Sequence, residues 1–357
     1  MRRCLALAMA LVLIFSSAAL AGGADGGKAA APGSISAKSA VLTVAETGEI
    51  LYEKSAREPR PMASTTKLMT ALLACEENTP GREIIVTEAV SRTEGTRMGL
   101  KAGESVPLEA LVTGAMLASG NDAANAIAIM LDGSLEAFAE RMNARAARLG
   151  MKDTRFVTPS GLDAEGHVST AYDMALLGRA ALENQTLAAV CAAKSAKVKI
   201  EERAVYLTNH NRLLREYPGC VGLKTGFTKK AGRCLVTAAR RRGITLICVT
   251  LSAPGDWSDH KKLLDYGFRE LESRVGERGQ YSLTVVGGER KTVRLECPQM
   301  PPLPKNVAAE AVPLIRPFEY APIPRGAIMG ELRYYADGKL ICSLPLITVK
   351  ETRRNQK

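Results

Sequence analysis

The sequence predicts an α/β (α+β) protein in which an antiparallel sheet is flanked by helices, with a small all-β domain at its C-terminal end. Its 357 residues exceed what one minimal core needs and fit a large domain plus a smaller one. Helical spacing dominates the middle of the chain, whereas short β-prone runs dominate after residue 222. Hydrophobic residues at 46% and charged residues at 24% exclude a disordered chain and a multi-span membrane protein.

The first residues predict export. Arg2 and Arg3 precede an apolar run and a small-residue stretch that ends at Ala21, the order of a secretory signal peptide over residues 1–21. A transmembrane anchor is the alternative, but the apolar run is shorter than the roughly 20 residues that span a bilayer. Residues 22–37, rich in Gly, Ala, Ser and Pro, predict a flexible leader.

The elements of the large domain follow from periodicity. Two β-prone runs, 39–44 and 50–54, are separated by turn residues and predict an opening hairpin. Apolar stripes at helical spacing then predict a series of helices. They are expected at 64–77, 107–118, 122–130, 136–149 and 170–183.

After residue 222 the pattern predicts consecutive antiparallel strands and a helix that packs back on them. The strands are expected at 223–227, 234–239 and 244–251, the helix at 258–271, and further strands at 281–286, 292–296 and 332–335. Prolines between 298 and 304 exclude a long helix there. We therefore predict a catalytic domain at 38–274, a β-rich domain at 275–350 and a polar tail at 351–357.

The cysteines give no metal site. Seven remain after the signal peptide, an odd number without Cys-x-x-Cys spacing. We expect most to be buried small hydrophobic residues. Cys220 and Cys234 flank a predicted hairpin, so a disulfide between them is a hypothesis.

Three short motifs carry the chemistry. Ser64 and Lys67 lie three positions apart at the start of a predicted helix and therefore share one face, where a lysine with a lowered pKa can deprotonate the serine. Taken alone, Ser64 is more often a helix cap. Ser119-Gly120-Asn121 lies between two predicted helices, 55 positions after Ser64. Lys224-Thr225-Gly226 lies on a predicted strand, 105 positions after Ser119. This combination in the order helix, loop, strand is typical of penicillin-recognising serine enzymes.

With these motifs the chain resembles the serine-type D-alanyl-D-alanine carboxypeptidases, the low-molecular-mass penicillin-binding proteins of the S11 type that carry an appended β domain. The resemblance implies a β-lactamase/transpeptidase-like fold and covers roughly residues 38 to 350. It extends through several blocks beyond the motifs. They are residues 61–71, 117–124, 160–163, 169–175, 209–214 and 222–232.

The resemblance implies a role for each motif residue. Ser64 would attack the carbonyl of the penultimate D-Ala while Lys67 takes its proton. Ser119 would relay a proton to the leaving amine, and Asn121 would hold the substrate amide and orient Lys67. Water would then hydrolyse the acyl-enzyme.

The strand motif would bind the chain end. Lys224 and Thr225 would hold the terminal carboxylate, and Gly226 lets the substrate approach the backbone. The backbone N–H groups of Ser64 and Phe227 would form an oxyanion hole, a contribution worth about 3 to 4 kcal/mol per donor.

The predicted partners follow from this reaction. The substrate is the peptidoglycan stem pentapeptide, β-lactams are covalent inhibitors, and neither a cofactor nor a metal is expected. A net charge of +11, or +9 without the signal peptide, favours peripheral contact with membrane or wall polymers. Export and the lack of a nucleic-acid-binding signature argue against nucleic acid. His210 either lines the cleft or is an exposed loop residue, and His167 and His260 have no metal-ligand spacing.

Three alternatives remain at this point. A serine β-lactamase would need a deacylating Glu-x-x-x-Asn stretch between Ser119 and Lys224, which the sequence lacks. A transpeptidase or endopeptidase would use the same motifs with another acceptor. A non-catalytic wall-binding protein would not need the complete set. Oligomeric state stays open.

Overall fold

The computed structural model describes residues 31–77, 79, 81–274, 281–299, 301, 303, 309–336 and 338–355. The predicted signal peptide and the first part of the predicted leader lie outside these residues. No described helix is both long enough and apolar enough to cross a membrane.

Among the described residues, helices and strands are mixed up to residue 274, and only strands follow. The helices are α1 (Lys67–Glu76), α2 (Glu88–Ser91), α3 (Leu108–Leu117), α4 (Asn121–Asp132), α5 (Leu135–Arg148), α6 (Ala171–Glu183), α7 (Gln185–Ala192), α8 (Leu213–Glu216) and α9 (Asp256–Arg274). The strands up to α9 are β1 (Ser39–Val44), β2 (Ile50–Lys54), β3 (Glu83–Ile85), β4 (Ser105–Pro107), β5 (Ser195–Ile200), β6 (Arg203–Thr208), β7 (Cys220–Thr228), β8 (Gly232–Arg241) and β9 (Ile244–Leu251). The later strands are β10 (Tyr281–Val286), β11 (Thr292–Glu296), β12 (Glu310–Ile315), β13 (Phe318–Tyr320), β14 (Ile328–Ala336) and β15 (Lys339–Thr348).

A five-stranded antiparallel sheet organises the large domain. Its strand order is β2-β1-β9-β8-β7, so the strand that carries Lys224 lies at one edge. The central strand β9 is buried along its whole length because helices cover both faces of the sheet. This arrangement confirms the predicted fold class.

Each face of the sheet has its own hydrophobic core. One core joins Val236 and Ile247 to residues of α1, α3, α4 and α6, and it forms the face on which the motif residues converge. The other joins Leu235 and Leu246 to α9. Alternation along the strands sends successive side chains to opposite cores, as period-two patterning requires.

The predicted flexible leader is wrong at its C-terminal end. Both carboxylate oxygens of Asp259 hold this segment, accepting from the backbone N–H groups of Ser36 and Ala37 and from the Ser36 hydroxyl. Ile35 and Ala37 are buried in the core below α9. An apolar residue at every second position gave a signal for this that the small-residue composition obscured.

The hypothesis of a Cys220–Cys234 disulfide is wrong. Both thiols are free, and in the β7–β8 register Cys220 lies opposite Ala239 while Cys234 lies opposite Gly226. The two cysteines are therefore separated by five strand positions, about 17 Å at 3.4 Å per residue, which no disulfide bridges.

The C-terminal strands form a separate six-stranded sheet in the order β12-β14-β15-β11-β10-β13. Leu283, Leu295, Leu332 and Leu346 are buried in its core. The predicted polar tail contributes to this unit, since Thr352 forms an isolated bridge with Ile323.

Candidate active site

Ser64 lies in a 3-10 helix, Ala63–Thr66, which leads directly into α1. Its side chain is partly exposed, whereas Thr65 and Thr66 beside it are buried. Both threonine hydroxyls donate to backbone carbonyls three residues earlier, at 2.6 and 2.8 Å, and so fix this turn. The backbone N–H of Ser64 has no acceptor among the described residues, as is usual in the first turn of a helix.

Lys67 is fully buried and its ammonium contacts three oxygen atoms. Its Nζ lies 3.0 Å from Ser64 Oγ, 2.6 Å from Asn121 Oδ1 and 2.5 Å from the Ser160 carbonyl oxygen. The two carbonyl-type oxygens can only accept a hydrogen bond, whereas the serine hydroxyl can also donate. A neutral Lys67 that donates to both carbonyls therefore points its lone pair at the Ser64 proton.

The surroundings favour this neutral lysine. Burial lowers the pKa of Lys67 well below 10.5, and the nearby charge of Lys224 lowers it further, while Asp122 opposes the shift. Burial also lowers the pKa of Lys224, to about 7. No described carboxylate forms an ion pair with Lys224, so an incoming anion would stabilise its charged form.

Ser119 lies in the loop between α3 and α4, and Asn121 is the first residue of α4. Asn121 is clamped from both ends of its amide, because its Oδ1 accepts from Lys67 and its Nδ2 donates to the Glu94 carbonyl at 2.8 Å. Asp122 accepts from three successive backbone N–H groups, at residues 98, 99 and 100. These bonds connect the loop between α2 and β4 to the start of α4. Ser119 is 7% exposed, and its hydroxyl makes no hydrogen bond to any described residue.

Strand β7 closes the other side of the cleft. The Nζ atom of Lys224 donates to the Thr225 carbonyl at 3.0 Å, the one hydrogen bond it makes within the described chain. Thr225 and Gly226 are partly exposed, and the side chain of Phe227 is 64% exposed. A Cβ atom on Gly226 would lie 3.0 Å from the backbone nitrogens of Ser64 and Thr65, so this glycine brings β7 against the serine turn.

We predict that Gly226→Ala lowers kcat/KM at this site by about a hundredfold, since a displacement of about 1 Å in an active site can cost that much. The added methyl group must push β7 away from the Ser64 turn. Gly178→Ala is the control, because its Cβ would meet only side-chain atoms, at 3.3 to 3.4 Å. Steady-state kinetics of both variants checks this, and equal activity of the two would contradict it.

His167 forms a hydrogen bond with the turn that carries Ser64. It is buried, and its Nδ1 accepts from the backbone N–H of Val157 at 2.9 Å, so its Nε2 carries the proton and donates to Thr66 Oγ1 at 2.8 Å. The same loop supplies the Ser160 carbonyl that contacts Lys67. Gly161 passes so close to Ala63 that a Cβ would lie 2.0 Å from the Ala63 carbonyl oxygen. Sequence reasoning placed residues 160–163 in a family-like block but gave neither them nor His167 a role.

The His167 bonds predict acid sensitivity. Burial lowers the pKa of His167 to about 4 from its usual 6.5, so the unfolded chain binds a proton between these pH values and the folded chain does not. Stability is therefore lost as pH falls below about 6.5, by about 3 kcal/mol at about pH 4.5 from this residue alone. Urea unfolding at about pH 6.5 and about pH 4.5 should show that His167→Gln loses less unfolding free energy between these values than wild type does. An unchanged loss in His167→Gln would contradict this.

His210 lies at the rim of the cleft. Its side chain is exposed, yet burial of part of the ring and the charge of Lys224 both lower the pKa of the imidazole. The exposed side chain fits an exposed loop residue, and the effect of the Lys224 charge on its pKa indicates that the ring lies near that lysine.

Strained backbone angles occur next to or within each of the three motifs. Positive φ angles occur at Ala63 (49°), Ser119 (57°) and Leu223 (84°), directly before or within the three motifs. Such angles are costly for residues with a side chain and occur preferentially at functional sites.

A protein-family model described as Peptidase_S11, D-alanyl-D-alanine carboxypeptidase, matches residues 26–255, well over half of the chain. The chain belongs to this family. The protein is thus an S11 D-alanyl-D-alanine carboxypeptidase, a serine peptidase of the penicillin-binding class that functions in cell-wall metabolism.

Curated relatives and solved structures agree with the S11 assignment. D-alanyl-D-alanine carboxypeptidase DacF of Bacillus subtilis (strain 168) is 29% identical over 99% of this chain and 95% of its own. DacC of Escherichia coli (strain K12) is 32% identical over 89% and 84%. The crystal structure of DacD from Francisella tularensis is 25% identical, covers 90% of this chain and 95% of its own, and superimposes with a TM-score of 0.63.

Within this S11 enzyme the structure brings most of the predicted site residues together. Ser64, Lys67 and Asn121 are joined by hydrogen bonds, Gly226 packs on the Ser64 backbone, and Lys224 acts on Lys67 through its charge. The Ser119 and Thr225 hydroxyls remain unbonded within the described chain. The side chain of Phe227 faces solvent. The role predicted for this residue involves its backbone N–H group and not its side chain.

Proposed function

We propose that this enzyme removes the terminal D-alanine from peptidoglycan stem pentapeptides through an acyl-enzyme on Ser64. The observation that carries the proposal is the position of Lys67, which contacts the Ser64 hydroxyl while two fixed carbonyl oxygens take its own protons. A lysine held in this way, with a lowered pKa, is suited to act as the general base for serine.

In the proposed mechanism Lys67 takes the Ser64 proton as Oγ attacks the carbonyl of the penultimate D-Ala. The backbone N–H groups of Ser64 and Phe227 stabilise the oxyanion. Ser119 passes the proton to the amine of the departing D-alanine, and Asn121 holds the substrate amide. Water then hydrolyses the ester and frees Ser64.

Specificity for a free chain end is assigned to Lys224 and Thr225. Lys224 is 1% exposed and has no carboxylate partner among the described residues, so a substrate carboxylate would supply the missing counter-charge. The unbonded Thr225 hydroxyl adds a neutral donor beside it. An internal peptide bond offers no such charge, which would make this a carboxypeptidase and not an endopeptidase.

We also propose extracytoplasmic action, since the substrate lies outside the cytoplasmic membrane and residues 1–21 have the pattern of a signal peptide. Catalysis is assigned to residues 38–274, which hold every proposed site residue, with 275–350 as an appended β domain. β-Lactams would acylate the same serine.

The test is D-alanine release from diacetyl-L-lysyl-D-alanyl-D-alanine by purified residues 22–357, with and without penicillin. We expect release that penicillin abolishes. Covalent penicillin binding without any release would contradict the carboxypeptidase proposal and favour a transpeptidase.

A further inference from the structure

Residues 209–211 form a sequence block to which the proposed mechanism gives no role. Asn211 is fully buried. Its Nδ2 donates to the backbone carbonyl of Gly222 at 3.2 Å, and its Oδ1 accepts from the backbone N–H of Leu213 at 3.1 Å. A buried amide that is hydrogen-bonded at both ends holds its backbone partners in one arrangement. One of these partners lies in β7, two residues before Lys224.

Strand β7 is irregular at the same point. Its register with β8 shifts between Cys220 and Gly222, so that Val221 is an extra residue and forms a β-bulge. The backbone φ angle is 103° at Gly222 and 84° at Leu223. A leucine at such an angle is strained, and strain of this kind persists only where neighbouring groups hold it.

The bulge sends two successive side chains to the same face of the sheet. Leu223 is paired with Thr237, whose hydroxyl contacts His260 of α9 on the opposite face. The Leu223 side chain is nevertheless buried in the core on the motif face, and Lys224 follows on that face because it pairs with Val236 of the same core. A strand without the extra residue would be one residue out of register, which would turn Lys224 toward α9.

The end of α7 and Asn211 hold the bulge together. A Cβ atom on Gly222 would lie 2.0 Å from the Cys191 carbonyl oxygen, so α7 packs directly against the bulge. Asn209 connects the two, since its Nδ2 donates to the Cys191 carbonyl at 3.3 Å and its Oδ1 accepts from the Asn211 backbone N–H at 2.9 Å. Asn211 is thereby fixed relative to α7, and its amide group fixes the Gly222 carbonyl.

We propose that Asn211 is a positioning residue of this enzyme, whose hydrogen bond to Gly222 holds the β-bulge that aims Lys224 into the cleft. The inference rests on the proposed function, in which Lys224 binds the terminal carboxylate of the substrate. Asn211 acts through Lys224 and not on the substrate itself. Its loss weakens a contact that is made both in the bound complex and in the transition state, so affinity falls while the rate of the chemical step changes less.

The test measures acylation by penicillin, which also carries a carboxylate, over a range of penicillin concentrations. This separates the dissociation constant of the first complex from the acylation rate constant. Asn211→Ser leaves an oxygen for the N–H of Leu213 but is too short to reach Gly222. It should raise the dissociation constant about tenfold, the effect of one hydrogen bond to a charged group, with a smaller change in the rate constant.

A second variant and a control accompany this one. Gly222→Ala displaces the bulge from the side of Cys191 and should also raise the dissociation constant, so the test does not depend on the folding of one variant. Asn143→Ser is the matched control and should leave the constant unchanged. The amide of Asn143 is likewise bonded at both ends to backbone, at the carbonyl and the N–H of Phe156, but it lies away from β7.

Lys224→Gln separates positioning from a general structural role. Alone it should raise the dissociation constant about tenfold, and adding Asn211→Ser should raise it no further, because both changes remove the same contact. A further tenfold rise in the double variant, or an unchanged constant in Asn211→Ser and Gly222→Ala, would overturn the inference. An unchanged constant in Lys224→Gln would contradict the role of Lys224 in the proposed function and the inference with it. Because acylation is measured, the comparison stands even where D-alanine release fails.

Discussion

Ser64→Ala is expected to lower D-alanine release by about a millionfold, the loss seen when a serine peptidase loses its nucleophile. No second hydroxyl of the described chain forms a hydrogen bond with Lys67, since the other two oxygens within hydrogen-bond distance of Nζ are the carbonyl-type atoms of Asn121 and Ser160. The variant should also fail to form a covalent adduct with labelled penicillin. Coupled detection of D-alanine and gel detection of the adduct measure the two losses.

The fold of this variant should be unaffected, because the Ser64 side chain is partly exposed and the oxygens of Asn121 and Ser160 still accept from Lys67. Ser91→Ala is the control, since the Ser91 hydroxyl bonds only to the backbone of α2. A loss of activity in Ser64→Ala that is matched by a loss of thermal stability would point to misfolding and remove the support for a nucleophile.

Lys67→Gln is expected to slow acylation by penicillin by about ten-thousandfold, the upper range for loss of a general base. Glutamine can still donate to Asn121 and the Ser160 carbonyl, so the site keeps its shape, but an amide cannot accept the Ser64 proton at neutral pH. Stopped-flow or quench measurement of acylation gives the rate directly. Lys54→Gln removes a lysine whose Nζ donates to the Ile35 carbonyl, and it should leave the rate unchanged.

The pH dependence separates the base from a purely structural lysine. The wild-type acylation rate should rise with pH as Lys67 loses its proton, with a midpoint well below 10.5 because burial and Lys224 lower this pKa. Lys67→Gln should lack that limb. A wild-type rate that rises only near pH 10.5, or the same limb in the variant, would contradict the assignment.

Much of the fold followed from periodicity. The runs at Ser39–Val44, Ile50–Lys54 and Tyr281–Val286 were predicted with the bounds that the structure has, because turn residues flank each of them. The hairpin of β5 and β6 was missed, although Ala196, Val198 and Ile200 alternate with Ser195, Lys197 and Lys199 and could have indicated its first strand. Strand β15 was missed because its run of apolar residues lacks a period of two.

The candidate site was predicted as three motifs, but the contacts between them were not. Nothing in the sequence indicates that the Ser160 carbonyl contacts Lys67, because a backbone atom leaves no trace in residue identity. His167 was passed over for want of metal-ligand spacing, although its position between the family-like blocks 160–163 and 169–175 could have drawn attention to it. The positive φ angles at Ala63, Ser119 and Leu223 were likewise invisible, since none is the glycine that usually signals them.

Mass mapping of the penicillin-treated enzyme tests the central claim most directly. Wild-type residues 22–357 are incubated with penicillin, digested with protease, and the modified peptide is sequenced by tandem mass spectrometry. We expect one penicilloyl group, on Ser64, and none in Ser64→Ala. A modified peptide that carries the group on any other residue, or an adduct that persists in Ser64→Ala, would contradict it.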